Sequence, residues 1–181
     1  MEWVVSDASP TAPGDLRLRL VELYDTALDE VYGYLVPRCG SPTVAEDLTS
    51  ETFLAAADAV KRRPPAELTV AWLIGIARHK LADHWRRKER EERLLTAVDS
   101  EPEVVDDEWD ATLDAIAARR TLAALGSHHR GALTLRYVDG LPVRDVARCL
   151  GRTEKATEVL LVRARAAFRS EYEHHHREEA T

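Results

Sequence analysis

The chain has little of what cross-linked or metal-held folds are built from. It contains two cysteines, Cys39 and Cys149, which are far apart and lack the paired spacing of a thiolate zinc site. This argues against a zinc site of that kind and against a disulfide framework. The two thiols are expected to be small, partly buried side chains of a protein from a reducing compartment.

Long hydrophobic runs are missing as well. No stretch approaches the run of about eighteen apolar residues that a membrane-spanning helix needs. The first residues, MEWVVSDASPTAPGD, have neither the basic flank nor the long apolar core of a secretory signal. With 31% charged and 45% hydrophobic residues, the composition is that of an ordinary folded protein of the cytoplasm.

The sequence also lacks the motifs that carry catalysis. It has no nucleophile elbow, no glycine loop that could cradle a phosphate, and no carboxylate pair in a defined catalytic setting. The histidine runs at residues 128–129 and 174–176 point adjacent side chains in different directions, unlike metal ligands spaced four residues apart on a helix. We therefore expect no enzymatic activity, no cofactor and no metal site.

What the sequence does have is helical periodicity. No segment shows the alternation of apolar and polar residues that is typical of strands, whereas apolar residues recur every three or four positions along most of the chain. We expect an all-α fold. Its predicted helices cover, approximately, residues 16–35, 43–60, 70–87, 112–125, 127–138, 142–150 and 153–172.

Several helix ends can be predicted from local chemistry. Pro37 and Gly40 are expected to end the first helix. Thr43 with Glu46 fits a capping box at the start of the second helix. The run KRRPP at residues 61–65 is expected to end that helix, because proline cannot continue it.

Charge is strongly segregated along a chain whose formal net charge is -7. Residues 60–95 hold ten Lys or Arg against five Asp or Glu, and residues 127–169 hold nine against four. Between these basic blocks, residues 96–118 hold eight acidic side chains and no basic one. Basic blocks indicate a polyanion partner. Within the acidic stretch, residues 96–110 have no apolar period and indicate a linker extended by its own repulsion.

The segment DVARCLGRTEKATEVLLVRARAAFR, residues 145–169, has the pattern of a helix-turn-helix. Gly151 supplies a sharp turn, and Thr153 is a plausible N-cap for the helix that follows. The apolar stripe of the first helix consists of Val143, Val146, Ala147 and Leu150. The predicted inward face of the second helix consists of Ala156, Val159, Leu160, Ala164 and Ala167.

The start of the second helix of such a unit can enter the major groove of DNA, where side chains reach base edges. The candidates for such contacts are Arg152, Thr153, Glu154, Lys155, Thr157 and Glu158. Farther along, the candidates for phosphate contacts, which position a protein rather than specify sequence, are Arg163, Arg165 and Arg169. The alternative is a plain helical hairpin whose charged face is only solvated. The glycine turn, the N-cap and the basic face occur together, and this combination favours DNA binding.

The first basic block contains both aromatic and cationic side chains. Its sequence, at residues 71–91, is AWLIGIARHKLADHWRRKERE. Such a mixture suits unpaired nucleic acid, because bases stack on rings while arginines follow the backbone. Trp85 falls on the apolar stripe of its helix, so that a core position is favoured for it. The polar face of that helix carries Arg78, His79, Lys80, Asp83, Arg86 and Arg87.

The chain resembles a sigma factor of the extracytoplasmic-function group of the sigma-70 family. The resemblance rests on AEDLTSETFLAAADAV (residues 45–60), AWLIGIARHKLADHWRR (residues 71–87) and the segment from residue 122 to 168, LAALGSHHRGALTLRYVDGLPVRDVARCLGRTEKATEVLLVRARAAF. The ending ATEVLLVRARAAFR is similar to a subset of actinobacterial members. Two positions depart from the family pattern: His79 stands where asparagine is usual, and Ser50 where glutamine is usual.

The resemblance implies a promoter-specificity subunit of bacterial RNA polymerase, found in the cytoplasm, that catalyses nothing itself. Its partners would be core polymerase, through the beta-prime clamp helices and the beta flap, and promoter DNA. The implied polymerase-binding residues are Asp47, Leu48, Glu51 and Phe53, with core packing as the alternative for Leu48 and Phe53. The residues implied to melt and read the minus-ten element are Trp72, Arg78, His79, Lys80, Asp83, Arg86 and Arg87. The helix that begins at Thr153 would read the minus-thirty-five element as duplex.

The resemblance also implies a domain plan. After a disordered segment, residues 1–14, a first helical domain would cover residues 15–95 and bind polymerase and the minus-ten element. An acidic linker, residues 96–111, would thread polymerase channels otherwise used by RNA. The helix-turn-helix domain would cover residues 112–172, followed by a polar, frayed tail at residues 173–181.

Two further hypotheses follow from this plan. A free chain with two tethered docking faces is expected to be held closed or captured by an anti-sigma factor. The functional alternative is a helix-turn-helix regulator that acts without being a polymerase subunit and binds its operator duplex unaided.

Overall fold

The computed structural model describes residues 13–63, 65–95 and 115–179. Within these ranges the chain is helical and contains no strand, which confirms the predicted all-α fold. The elements are the helices α1 (Pro13–Cys39), α2 (Pro42–Arg62), α3 (Val70–Leu95), α4 (Ala115–Ala124) and α5 (Ser127–Leu133), a π-helical turn (Thr134–Val138), and the helices α6 (Val143–Leu150) and α7 (Glu154–Glu179). None of these helices combines the length and the apolar character needed to cross a membrane.

The chain divides into two compact units, Met1–Lys80 and Leu81–Thr181. The boundary falls inside α3, so that this helix begins in the first unit and ends in the second. The predicted linker, residues 96–111, lies outside the described residues, as does all but the end of the predicted disordered segment, residues 1–14. The domain bounds derived from the sequence therefore stay a prediction.

The predicted end of α1 is confirmed at Gly40 and is wrong for Pro37. The helix runs through Pro37 to Cys39 and stops at Gly40, whose φ of 72° lies in the left-handed region that glycine adopts readily. Pro37 lies in the last turn, so that its missing N–H removes a single hydrogen bond, to the carbonyl of residue 33, close to the end of the helix. There Arg38 donates from Nη1 to the carbonyl oxygen of Tyr34 at 2.8 Å.

The start of α2 is capped by Ser41. Its hydroxyl accepts a hydrogen bond from the amide of Val44 at 3.5 Å, and Pro42 occupies the first helical position, which its fixed φ suits. The predicted capping box of Thr43 and Glu46 is wrong, because both residues lie inside the helix. The predicted end of α2 is confirmed, since the helix stops at Arg62.

The core of the first unit lies along the contact of α1 with α2. Val31, Leu35 and Leu48 are buried there almost completely. Thr52 is also fully buried, and its hydroxyl donates to the carbonyl oxygen of Leu48 at 2.7 Å. A buried hydroxyl with a partner of this kind is tolerated in a core.

The core of the second unit is a cluster of apolar side chains under α7. Its buried members are Leu125, Leu133, Ala164, Phe168 and Tyr172. The rings of Phe168 and Tyr172 are stacked, with 5.9 Å between their centroids. Three of the five residues come from α7, which therefore organises this unit.

The end of α7 also differs from the prediction. The sequence predicts that the helix ends near residue 172 and that the tail frays, whereas α7 continues to Glu179. Tyr172 is buried, and His175 places Nδ1 3.5 Å from the hydroxyl of Thr121 on α4 and Nε2 3.5 Å from the carboxylate of Glu171. Through these contacts α7 stays packed beyond residue 172, where the pattern of apolar residues in the sequence ends.

We expect Leu35→Ala to lower the free energy of unfolding by about 2–5 kcal/mol, because it leaves a cavity at a fully buried position. Urea unfolding followed by circular dichroism measures this change. Leu18→Ala is the matched control on the same helix: Leu18 is 66% exposed, and its loss should stay within about 0.5 kcal/mol. Equal effects of the two substitutions would contradict the position assigned to Leu35.

Candidate nucleic-acid interface

The turn between α6 and α7 is built as a helix-turn-helix, as predicted. Gly151 has φ 63° and ψ 35°, and its left-handed conformation ends α6. The amide of Arg152 then donates back to the carbonyl oxygen of Ala147 at 2.9 Å. Thr153 caps α7, since its hydroxyl accepts from the amide of Ala156 at 3.2 Å. The predicted roles of Gly151 and Thr153 are confirmed.

The inward face of α7 is rotated relative to the prediction. Ala156 and Val159, predicted to face inward, are exposed. Thr157 is fully buried instead, and its hydroxyl donates to the carbonyl oxygen of Thr153 at 2.9 Å. Leu160 and Ala164 are buried as predicted, so the apolar pattern found part of this face. It missed Thr157, because the polar group of this threonine is satisfied within its own helix.

The exposed start of α7 carries most of the candidate base contacts. Thr153, Glu154, Lys155 and Glu158 are exposed. Thr157 is buried and therefore does not lie on the same surface as these four side chains. Of the candidate phosphate contacts, Arg165 is exposed, whereas Arg163 and Arg169 are half-buried.

The polar face of α3 is a mixture of exposed and half-buried side chains. The exposed members are His79, Asp83 and Arg87, and the half-buried members are Trp72, Arg78, Lys80 and Arg86. Arg86 forms an ion pair with Asp83 one turn earlier. Trp85 is only 2% exposed, which confirms the core position predicted for it.

The candidate polymerase-binding residues on α2 do not form one exposed surface. Asp47 is exposed, whereas Leu48 is buried, as its alternative interpretation as a core residue predicts. Glu51 lies 3.3 Å from Nζ of Lys80. Phe53 is half-buried and meets the ring of Tyr24 edge-on, with 4.6 Å between centroids.

Leu54 is a residue that the sequence reasoning missed. It lies seven positions after Asp47, hence on the same side of α2, and is 71% exposed. A single exposed leucine is ordinary for a protein surface, and Leu18 is exposed to a similar extent. Its place on the same side of α2 as Asp47 is what makes Leu54 a candidate contact to a partner. The sequence signal for Leu54 is its spacing, which places it outside the buried stripe of α2.

Within the second unit, the end of α3 contacts the helix-turn-helix. Arg86 donates from Nη1 to the carbonyl oxygen of Cys149 at 2.8 Å, near the end of α6. Arg152 donates from Nη2 to Oε1 of Glu89 at 2.8 Å. The candidate DNA-binding residues Arg86 and Arg152 therefore both have protein partners in this structure.

The carboxylates in this contact were not predicted. The side chain of Glu89 is only 12% exposed, and it also lies 2.9 Å from Nη2 of Arg93. Glu92 accepts hydrogen bonds from the hydroxyl of Ser127 at 2.7 Å and from its amide at 3.2 Å. Glu89 and Arg152 are 63 residues apart, so no local sequence pattern links them.

The tryptophan of this contact is packed tightly. A Cβ built on Gly131 of α5 would lie 2.8 Å from the ring of Trp85, so only glycine fits there without a shift. The indole Nε1 of Trp85 is buried and has no hydrogen-bond acceptor among the residues that the structure describes. The contact therefore combines ionic, polar and close apolar packing.

Three histidines near this contact are held towards the neutral form. Burial is the main cause that lowers the pKa of His84, His128 and His129, and for His84 the cations Lys88 and Arg87 add to it. The rings of His128 and His129 lie 4.0 Å apart between centroids. In the part of the chain that the structure describes, no three His, Cys, Asp or Glu side chains are grouped to hold a metal ion.

Two family models match the chain. Residues 23–91 match the model of sigma-70 region 2, and residues 116–168 match that of sigma-70 region 4. The first match contains α2 and most of α3, and the second contains the helix-turn-helix. Both candidate DNA-binding surfaces thus lie inside matched segments.

Individual relatives agree with the family models. The chain is 35% identical over 148 residues to the ECF RNA polymerase sigma factor BldN of Streptomyces coelicolor, a match that covers 78% of this chain and 56% of BldN. It is 33% identical over 129 residues to the ECF RNA polymerase sigma factor SigF of Caulobacter vibrioides, covering 71% of each. The chain thus spans little more than half the length of BldN.

A solved structure supports the fold. The sigma factor RpoE from Bartonella quintana, in complex with the anti-sigma factor NepR, matches with a TM-score of 0.52. The match has 21% sequence identity and covers 88% of this chain and 97% of RpoE. At this identity the likeness establishes the fold alone.

The buried histidines predict acid sensitivity of the second unit. Burial, followed by the neighbouring His128, lowers the pKa of His129 from 6.5 to about 4. Between these values the unfolded chain binds a proton that the folded chain does not, so the free energy of unfolding should fall as the pH is lowered from about 6.5 to about 4. We expect His129→Gln to make this fall shallower.

Urea unfolding at a series of pH values measures the effect. His79→Gln, which removes an exposed histidine, is the control against which the slope for His129→Gln is compared. A slope for His129→Gln that matches the unmodified chain throughout this range would contradict the prediction.

Proposed function

The chain belongs to the extracytoplasmic-function sigma factors of the sigma-70 family, and we propose that it acts as a promoter-specificity subunit of bacterial RNA polymerase. In this role it binds the core enzyme and directs it to promoter DNA. The observation that carries the proposal is the exposed, polar start of α7 behind the left-handed turn at Gly151. In this role the phosphodiester chemistry belongs to the polymerase, and the chain itself catalyses nothing. The complex acts in the cytoplasm.

The start of α7 is the proposed reader of the upstream, duplex element. Lys155 offers donors to guanine, and Glu154 and Glu158 offer acceptors to cytosine. Arg165 lies about three turns along the same helix, where a cation suits a phosphate. The support for this assignment is the exposure of these side chains on a helix fixed by the cap at Thr153.

The polar face of α3 is the proposed surface for the minus-ten element. His79 and Arg87 are exposed on it, and Trp72 is half-buried near the start of the helix. Rings and cations on one helix suit a separated strand, because unpaired bases stack while phosphates meet positive charge. The burial of Trp85 leaves Trp72 as the tryptophan of this helix that remains available for stacking.

The outer face of α2 is the proposed contact to the polymerase core. Asp47 and Leu54 are exposed on it, and Glu51 is partly exposed next to Lys80. An apolar side chain among charged ones is typical of a docking surface. Leu48 belongs to the core of the unit, so its part in the interface would be to support the helix.

Transcription with core polymerase tests the proposal. The chain should support specific run-off transcription from a genomic library with core polymerase, and that library would also reveal its promoter. A helix-turn-helix regulator would instead bind specific duplex at moderate salt without polymerase and support no transcription. An anti-sigma factor as a further partner stays a prediction, tested by purification from the native host.

We expect Lys155→Ala to weaken recognition of the upstream element by about 1–3 kcal/mol and to change which base is preferred at one position. The measurement is binding of holoenzyme to promoters substituted at each upstream position. Arg165→Ala is the control, because loss of a phosphate contact should weaken binding to all of these promoters alike. A uniform loss with Lys155→Ala would make Lys155 a phosphate contact too.

We expect Arg87→Ala to reduce promoter opening more than it reduces binding to core polymerase, because its exposed guanidinium would meet the separated strand. Permanganate footprinting measures opening, and a pull-down with core polymerase measures binding. Arg90→Ala, which removes an exposed arginine of the same helix outside the predicted set, is the control. Normal opening with Arg87→Ala would refute the assignment.

A further inference from the structure

A tyrosine hydroxyl lies beside a candidate phosphate contact of α7. Nη1 of Arg165 donates to the hydroxyl oxygen of Tyr137 at 3.3 Å. Tyr137 belongs to the π-helical turn and is 56% exposed, and Arg165 is exposed as well. Two polar side chains from different elements thus meet at the surface, and only Arg165 is among the residues that the sequence predicts to bind DNA.

The backbone that carries Tyr137 is held in place by hydrogen bonds and burial. The amide of Asp139 donates to the carbonyl oxygen of Thr134 at 2.9 Å, which closes the wide turn. The amide of Leu141 donates to the carbonyl oxygen of Leu135 at 3.0 Å. Single π-helical turns of this kind occur frequently at functional sites. Since Thr134 and Leu135 are buried, the turn is anchored in the unit while Tyr137 lies at its surface.

Arg165 lies on the same side of α7 as two candidate base contacts. It follows Glu158 by seven residues and Glu154 by eleven, and both spacings bring side chains onto one face of a helix. Seven residues span about 10 Å along the helix axis. The major groove is about 12 Å wide, so a side chain at a base edge and one at the flanking backbone are separated by a distance of this order. The hydroxyl of Tyr137 therefore lies where that backbone is expected when Glu158 reaches a base.

The hydrogen-bonding groups of this pair suit a phosphate. A phenol has one O–H donor, and its oxygen accepts from Arg165 here, so its own proton is directed away from that arginine. A guanidinium has five N–H donors in a planar fork, of which this bond uses one. Cζ of Arg136 lies 6.0 Å from the centroid of the Tyr137 ring and adds positive charge nearby. A phosphate oxygen accepts from both kinds of donor, and its negative charge strengthens the hydrogen bonds.

We propose that Tyr137 is a further DNA-binding residue, whose hydroxyl donates a hydrogen bond to the backbone phosphate that Arg165 binds. The proposal rests on the proposed function, because it applies only if α7 reads promoter duplex. The guanidinium supplies the positive charge, and the hydroxyl supplies a neutral, directed donor that fixes where the phosphate lies. Such a contact positions the chain on the duplex and carries no information about its sequence.

The first test compares Tyr137→Phe, which keeps the ring and removes the hydroxyl, with Arg165→Ala. Holoenzyme that contains Tyr137→Phe should bind promoters about fivefold more weakly whatever their upstream sequence, as measured by fluorescence anisotropy. The slope of log affinity against log salt should stay that of the unmodified chain, since no charge is lost, whereas Arg165→Ala should reduce the slope by about 1. A slope for Tyr137→Phe that falls as far as that for Arg165→Ala would mean that Tyr137 only places Arg165, and would overturn the proposal.

Tyr32→Phe is the matched control for the loss of a phenol hydroxyl. Tyr32 is half-buried on α1, outside the proposed DNA-binding surfaces, so its substitution should leave promoter binding unchanged. Thermal unfolding followed by circular dichroism should give the same midpoint for Tyr137→Phe as for the unmodified chain, because the change is made at an exposed side chain. Equal losses of affinity for Tyr137→Phe and Tyr32→Phe would overturn the proposal.

The second test identifies the phosphate. Each backbone phosphate of the upstream element is replaced in turn by a methylphosphonate, which lacks the negative charge. At one position the weaker binding of Tyr137→Phe relative to the unmodified chain should disappear, because the hydroxyl no longer has a charged oxygen to bind. The charge-dependent loss caused by Arg165→Ala should disappear at the same position. Disappearance at two different positions, or at none, would overturn the proposal.

Run-off transcription with core polymerase separates this inference from the proposed function. A chain that supports no transcription would overturn both. Full transcription by the unmodified chain, together with equal promoter binding by Tyr137→Phe and the unmodified chain, would overturn the inference alone.

Discussion

The left-handed backbone at Gly151 is the constraint on which the second unit depends. Its φ of 63° ends α6 and turns the chain so that Thr153, two residues later, can cap α7. The same residue leaves no side chain where the guanidinium of Arg86 lies. A single glycine therefore sets the direction of the proposed recognition helix and admits the arginine that contacts the turn.

Features that depend on neighbouring residues could be predicted from the sequence. The turn at Gly151, the cap at Thr153 and the end of α2 at Arg62 follow from the chemistry of one to five adjacent residues, and all three are present. The errors at helix ends have the same local origin. Pro37 lies in the last turn of α1, where a proline does not end the helix, and Ser41 competes with Thr43 for the cap of α2.

Features that depend on packing could not be predicted. The inward face of α7 includes Thr157, which a search for apolar residues passes over because its hydroxyl is satisfied inside the helix. The pairing of Glu89 with Arg152 joins residues 63 positions apart, and Glu89 by itself resembles any solvated acid on a basic helix. The sequence thus predicts residues for binding polyanions, but not the protein groups that engage two of them in this structure.

The indole of Trp85 limits how much the packing of α3 against α5 stabilises the second unit. A buried N–H without an acceptor is less favourable by about 1–3 kcal/mol than one that is satisfied, and Nε1 of Trp85 has no acceptor among the described residues. This unmet donor therefore offsets part of the stabilisation that the apolar burial of the ring, in close contact with Gly131, contributes.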